Sequence, residues 1–91
     1  MSRDIDVDEE QLARFIDALS QFQEVADEKF KAVEADWEKC NESWQGDSKE
    51  QFTKDFERTS TSVRETLEAG DEALDWLERF DEIVKEFERN S

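Results

Sequence analysis

A chain of 91 residues with 27 acidic and 12 basic side chains, a net charge of −15 and neither histidine nor proline has room for one small domain. Nucleic-acid phosphates need basic side chains, and an anionic membrane surface repels so acidic a chain, so neither is an expected partner. Without histidine the commonest general base and metal ligand is missing; no catalytic, cofactor-binding or metal site is expected, and the chain reads as a non-enzyme.

From the N-terminus, Met1 to Glu10 is acidic and has no apolar run of the signal-peptide kind, so export, if it occurs, is expected by a route that needs no such signal. Asp4-Ile5-Asp6-Val7-Asp8 begins like a calcium loop. It fails because Glu9 stands where the loop needs glycine and Phe15 where it needs glutamate. Asp8 is a natural helix cap: Gln11 lies three residues on, Val7 is placed to staple to Leu12, and Glu9 and Glu10 suit the positive end of the helix dipole.

The first helix is predicted over about 8–42 from sevenfold spacing. One apolar row is Leu12, Leu19, Ala26, Val33, Cys40, and its companion is Ile16, Gln23, Phe30, Trp37, Trp44, with Phe15 and Phe22 widening the stripe. Gln23 interrupts the pattern. Cys40 is unpaired in sequence and, on an apolar row, reads as a buried small hydrophobe. The first helix should end before Gly46, since glycine accepts the positive φ at which a helix stops. The turn is placed at about 43–47.

The second helix is predicted over about 48–88, capped by Asp47 with Glu50 three residues later. Its rows are Phe56, Val63, Gly70, Leu77, Val84 and Phe52, Thr59, Thr66, Ala73, Phe80, Phe87, supplemented by Leu67, Leu74, Trp76 and Ile83. Gly70 on an apolar row is either a point of close helix approach or a tolerated glycine. Lys85 and Arg89 suit the negative end of the dipole. The charged residues read as solvated helix faces, with Glu28–Lys31 and Glu34–Lys39 as weak neighbours.

A short connection makes antiparallel neighbours. The predicted architecture is therefore one all-α domain, an antiparallel two-helix hairpin. Two arms offer a single narrow seam, too little for so many large aromatics. Dimerisation into a four-helix bundle would supply the missing helices, and a packing helix from an unrelated partner would serve equally well. The residues expected at helix-packing interfaces are Phe15, Leu19, Phe22, Phe30, Trp37, Phe52, Phe56, Leu77 and Phe80.

The stretch Trp44-Gln45-Gly46-Asp47-Ser48-Lys49-Glu50-Gln51-Phe52 resembles the turn of the WXG family, the small helical-hairpin substrates of type VII secretion that include the early secreted antigens of mycobacteria. Ser48 stands at the small position two residues after the glycine and Phe52 at the aromatic position four residues later. The resemblance implies a hairpin held in the cytoplasm and then secreted without a cleaved signal peptide. It implies a homodimer or heterodimer with another WXG-type hairpin, and engagement of a larger type VII effector and the secretion ATPase. Trp44 and Gly46 would form the turn and secretion motif; on physics alone Trp44 reads either as a plug at the end of the bundle or as a partner anchor. Many exported pairs in the family carry a Tyr-X-X-X-Asp/Glu signal after the second helix. This chain has no tyrosine; Phe80 is followed at that spacing by Val84 and Phe87 by Ser91, while Phe30 and Glu34 share the spacing inside the first helix. The chain then either takes the signal from a partner, serves as a dedicated helper of a larger exported protein, or belongs to the members whose export works differently. The competing expectations are an intracellular acidic helical adaptor or scaffold and, behind it, a mimic of nucleic-acid charge.

Overall fold

The computed structural model describes residues 6–90, so Asp4 and Ile5 of the broken calcium-loop pattern, and Ser91, lie outside the described residues. Two α-helices, α1 (Glu9–Ser43) and α2 (Asp47–Arg89), run antiparallel with no strand among the described residues. The result is a hairpin with extents of 67 × 19 × 14 Å.

α1 starts as its residues dictate. The Asp8 carboxylate accepts the Gln11 backbone N–H at 3.1 Å, which satisfies one of the free donors at the helix start. Val7 stays 40% exposed while Leu12 is buried. At the other end Trp44 turns extended and donates its backbone N–H to the Cys40 carbonyl at 3.1 Å.

The start of α2 differs from the expected cap. Gly46, not Asp47, is the capping residue; its φ of 107° reverses the chain, and no side chain completes the cap. Its carbonyl accepts from Lys49 and Glu50 at 3.1 and 3.3 Å. Asp47 is thereby the first helical residue, where its charge still favours the positive end of the dipole. A side chain at Gly46 would meet nothing within 4 Å, so the position requires the backbone freedom of glycine and not its small size.

The seam departs from both predicted patterns. Along α1 it is formed by Leu12, Ile16, Leu19, Gln23, Ala26 and Phe30, as the rows foretell, then by Glu34, Trp37, Asn41 and Trp44. Val33 and Cys40 are exposed, contrary to the buried position expected of Cys40. A helix of 3.6 residues per turn drifts against a sevenfold row by about 20° per heptad, and one extra step restores contact. That step lies after Phe30. It draws in Asn41, whose Oδ1 is enclosed without a hydrogen-bond partner.

On α2 the row Phe56, Val63, Gly70, Leu77, Val84 lies in the seam as predicted. The second row does not. Thr59, Thr66, Ala73 and Phe87 are exposed, and the seam is completed by Thr53, Ser60, Leu67, Leu74 and Asp81, one residue further on. Aromatic residues weight the hydrophobic pattern toward Phe52, Phe80 and Phe87, whereas packing follows the geometry set by Phe56, Leu67 and Val84. The core is thin: Leu12, Leu67 and Val84 are the buried apolar residues, and Val84 is 1% exposed.

Candidate binding faces

A helical hairpin has two flanks beside its seam, and here they differ in kind. On one flank α1 presents Ser20, Asp27 and Glu34, and α2 presents Glu50, Glu57, Arg64, Asp71 and Glu78, each set at sevenfold spacing. On the other, α2 presents Phe52, Thr59, Thr66, Ala73, Phe80 and Phe87. α1 adds Phe15 and Phe22 and, beyond the step in its register, Val33 and Cys40. The two sets meet where Phe22 and Ala26 share a shallow groove of about 270 Å³ with Val63, Thr66 and Leu67.

Ten of the eleven positions of this flank carry no charge, in a chain that is 43% charged; the exception is the exposed Lys29, which continues the row of Phe15 and Phe22. Phe15 and Phe22, expected at a helix-packing interface, are 54% and 62% exposed and do not fill the hairpin's own seam. Leu19, Phe30, Trp37, Phe56, Leu77 and Phe80 are half-buried along it, and Phe52 lies at its edge. Further round α2, Trp76 stacks on Phe80 at 5.3 Å with ring planes 11° apart and remains exposed, as does Ile83.

At the turn, Trp37, Trp44, Phe52 and Phe56 form one aromatic cluster. Centroid separations run from 5.1 Å (Trp37–Phe52) to 6.2 Å (Trp37–Trp44, edge to face). The spacings are those of favourable aromatic pairs. The Trp44 indole N–H donates to Ser48 Oγ at 3.3 Å. Trp44 thus closes the end of the hairpin while staying half-buried, and Ser48 gives the ring a polar partner.

The acidic flank is organised by Arg64. Its guanidinium donates to Asp27 Oδ1 at 3.0 Å and to Glu34 Oε1, and lies 5.1 Å from the centre of the Phe30 ring; Ser60 adds a hydroxyl to Glu34 at 2.9 Å. Lys31 approaches Asp27 from its own helix at 3.1 Å. The hydrogen bond from Lys31, seconded by Arg64, holds the Asp27 carboxyl below the ordinary carboxylate range. Arg64 and then Ser60 do the same to Glu34, and Glu34 in turn pushes the Arg64 guanidinium up. The ion pair made by Lys31 is therefore with Asp27 and not Glu28, and Glu34 pairs across the seam rather than with Lys39. Arg64 was missed in sequence because cross-helix partners are visible only once the register is known; Asp27 and Glu34 at sevenfold spacing were the available signal.

In mid-seam Gln23 is 7% exposed. Its amide N–H₂ donates to the Leu67 carbonyl at 2.8 Å and to Asp71 Oδ1 at 3.0 Å. Gly70 makes the space: a Cβ there would lie 2.3 Å from Gln23 Oε1. Gln23 in the α1 seam and the one glycine of the α2 stripe are a matched pair. Among the described residues no group of His, Cys, Asp or Glu is arranged to hold a metal ion, and no helix is long and apolar enough to cross a membrane. Comparison with protein-family models, curated proteins and solved structures gives no match.

Proposed function

We propose that the chain works by helix packing as a WXG-type protein, either exported by a type VII secretion system or acting as a secretion partner within one. A second two-helix hairpin, another copy or a related chain, lies on the neutral flank to make a four-helix bundle. The observation that supports this reading is Phe15 and Phe22 on α1 beside Phe52, Thr59, Thr66, Ala73 and Phe87 on α2, uncharged side chains that the hairpin itself leaves exposed. The hairpin extends over 67 Å, and a stable complex of this kind buries roughly 800 Å² per partner. The turn, with Trp44 held by Ser48 and the aromatic cluster and Gly46 capping α2 beside it, is the second element a secretion partner would read.

The test is to compare culture medium with cells, with and without the secretion ATPase. Appearance in the medium that depends on the ATPase supports the reading, and retention in the cell regardless of the ATPase overturns it. The acidic flank favours a second reading, an acidic helical adaptor that holds a basic partner. Binding of that kind weakens as salt rises, whereas apolar packing on the neutral flank does not.

A further inference from the structure

We propose that the partner seated on the neutral flank is a second copy of this chain, with α2 lying antiparallel on α2 about a two-fold axis between Leu74 and Asp75. The proposal rests on the packing role given to that flank above and adds which chain fills it and in what register. Beside its seam α2 carries an uncharged stripe at alternating steps of four and three: Ser62, Thr66, Ala69, Ala73, Trp76, Phe80, Ile83 and Phe87. That is the repeat of a helix packed on another helix, yet all of these residues except half-buried Phe80 are exposed in the hairpin. The stripe runs for about 38 Å at 1.5 Å per residue. It is divided by size, with the small residues toward the turn and the large ones toward the open end.

Turned end over end about its midpoint, the stripe fits itself. Phe87 falls opposite Ser62, Ile83 opposite Thr66, Phe80 opposite Ala69 and Trp76 opposite Ala73, and each contact occurs twice, as a two-fold interface requires. Every layer joins one large side chain to one small one, the alternation that fills a helix interface without gaps or overlap. A parallel pair would crowd ring on ring at one end and leave a gap at the other. Three further features agree with this axis. The apolar groove of about 270 Å³ bordered by Phe22, Ser62, Val63 and Thr66 lies where the register brings Phe87 and Ile83 of the second copy. The cross-helix bonds Gln23–Asp71 and Glu34–Ser60 set Leu19 level with Asp75, so the exposed Phe15 and Phe22 of α1 stand almost evenly on either side of the axis. Beside the stripe, Glu72 falls opposite Arg79 of the second copy, again twice. The next pair outward, Glu65 opposite Glu86, is of like charge; with −15 on each copy it makes association depend on salt.

The test uses the full chain with Cys40→Ser, so that no other thiol intervenes. Light scattering shows the mass doubling at high salt. An Ala69→Cys chain mixed with a Phe80→Cys chain gives a disulfide-linked dimer under mild oxidation, and neither gives one alone. Like positions are about 16 Å apart along the axis, beyond the roughly 7 Å between Cα atoms that a disulfide spans. Ala73→Trp and Trp76→Ala each weaken self-association about tenfold or more, the swapped chain carrying both regains it, and helix content is the same in all. A monomer at every salt concentration, no link in the mixture, a link from Ala69→Cys alone, or a swapped chain weaker than both single variants overturns the proposal. Export that depends on the ATPase in a chain that stays monomeric removes this inference and leaves the proposed function with a related hairpin as partner. A linked dimer whose export ignores the ATPase supports this inference and removes that function.

Discussion

Gln23 and Gly70 fit one another across the seam: the glutamine amide occupies the space that a side chain at position 70 would take, and there donates to Leu67 and Asp71. This makes the effect of one substitution change sign with its background. Glycine inside a helix costs about 1 kcal/mol relative to alanine. Expelling a buried, hydrogen-bonded amide costs about 1–3 kcal/mol. Gly70→Ala alone should therefore lower stability by up to about 2 kcal/mol, the difference of these two effects. In a Gln23→Ala background the same change should raise stability by about 1 kcal/mol. Chemical denaturation of the four proteins of the cycle checks this; two effects of the same sign would refute the pairing.

Arg64 should carry a pH-dependent share of stability. The folded state lowers the pKa of both Asp27 and Glu34, whose ordinary values are 3.8 and 4.5. A carboxyl with a lowered folded pKa stabilises the fold above its unfolded value and loses that contribution as pH falls through the folded one. Arg64→Leu should thus be destabilising at pH 7, with the gap to the parent closing as pH drops below about 4. Measuring the difference between the two proteins cancels the general effect of neutralising so acidic a chain. A gap that stays constant from pH 7 to pH 3 would show that Arg64 acts by packing alone.

Phe22 is 62% exposed on the neutral flank, so a charge there should harm assembly and spare the hairpin. Phe22→Asp should leave helix content as it is, and the melting temperature of the isolated chain within a few degrees. It should abolish any complex with a second hairpin in light scattering. Self-association of the parent chain should strengthen as salt rises, because screening reduces repulsion between copies of net charge −15.

Trp44→Ala should remove three things at once: the contacts with Trp37 and Phe52, the hydrogen bond to Ser48, and the half-exposed ring that a partner would touch. Each aromatic pair contributes about 0.5–1.5 kcal/mol, so the melting temperature should fall by several degrees. Partner capture or export, measured beside it, should fall further than that loss of folded protein explains. Trp44→Phe separates the two effects by retaining a ring at the hairpin end.

The hairpin itself was legible. Absence of proline, the cap at Asp8, the glycine at the turn and the rows through Leu12, Ile16, Phe56 and Val84 are local properties of the chain, and local patterns determine where long helices run. The register was less so. Cys40 and Val33 fall on a row that is correct for the first five turns of α1 and wrong afterwards, because a drift of about 20° per heptad accumulates and is reset at a point that no single residue announces. Asp47 was given the cap because its side chain suits one, whereas Gly46 took it through its φ of 107°. The neutral flank was visible as a surplus of aromatics without a place to go. Arg64 bridging Asp27 and Glu34, and Gly70 accommodating Gln23, are pairings between helices, and pairings depend on the register that sequence left open.

Leu12 and Val84 fasten the open end of the hairpin, Gln23 and Gly70 its middle, and the aromatic rings its turn. Between these points the seam is mixed, with Ile16, Leu19, Leu74 and Leu77 on the open side of Gln23 and Ala26, Phe30, Ser60 and Val63 on the turn side. Leu12, Gln23, Leu67 and Val84 are the buried residues among those described, so the two helices are fully packed against each other at few points. In the proposed bundle, a hairpin joined at so few points would take part of its twist from the partner laid along it.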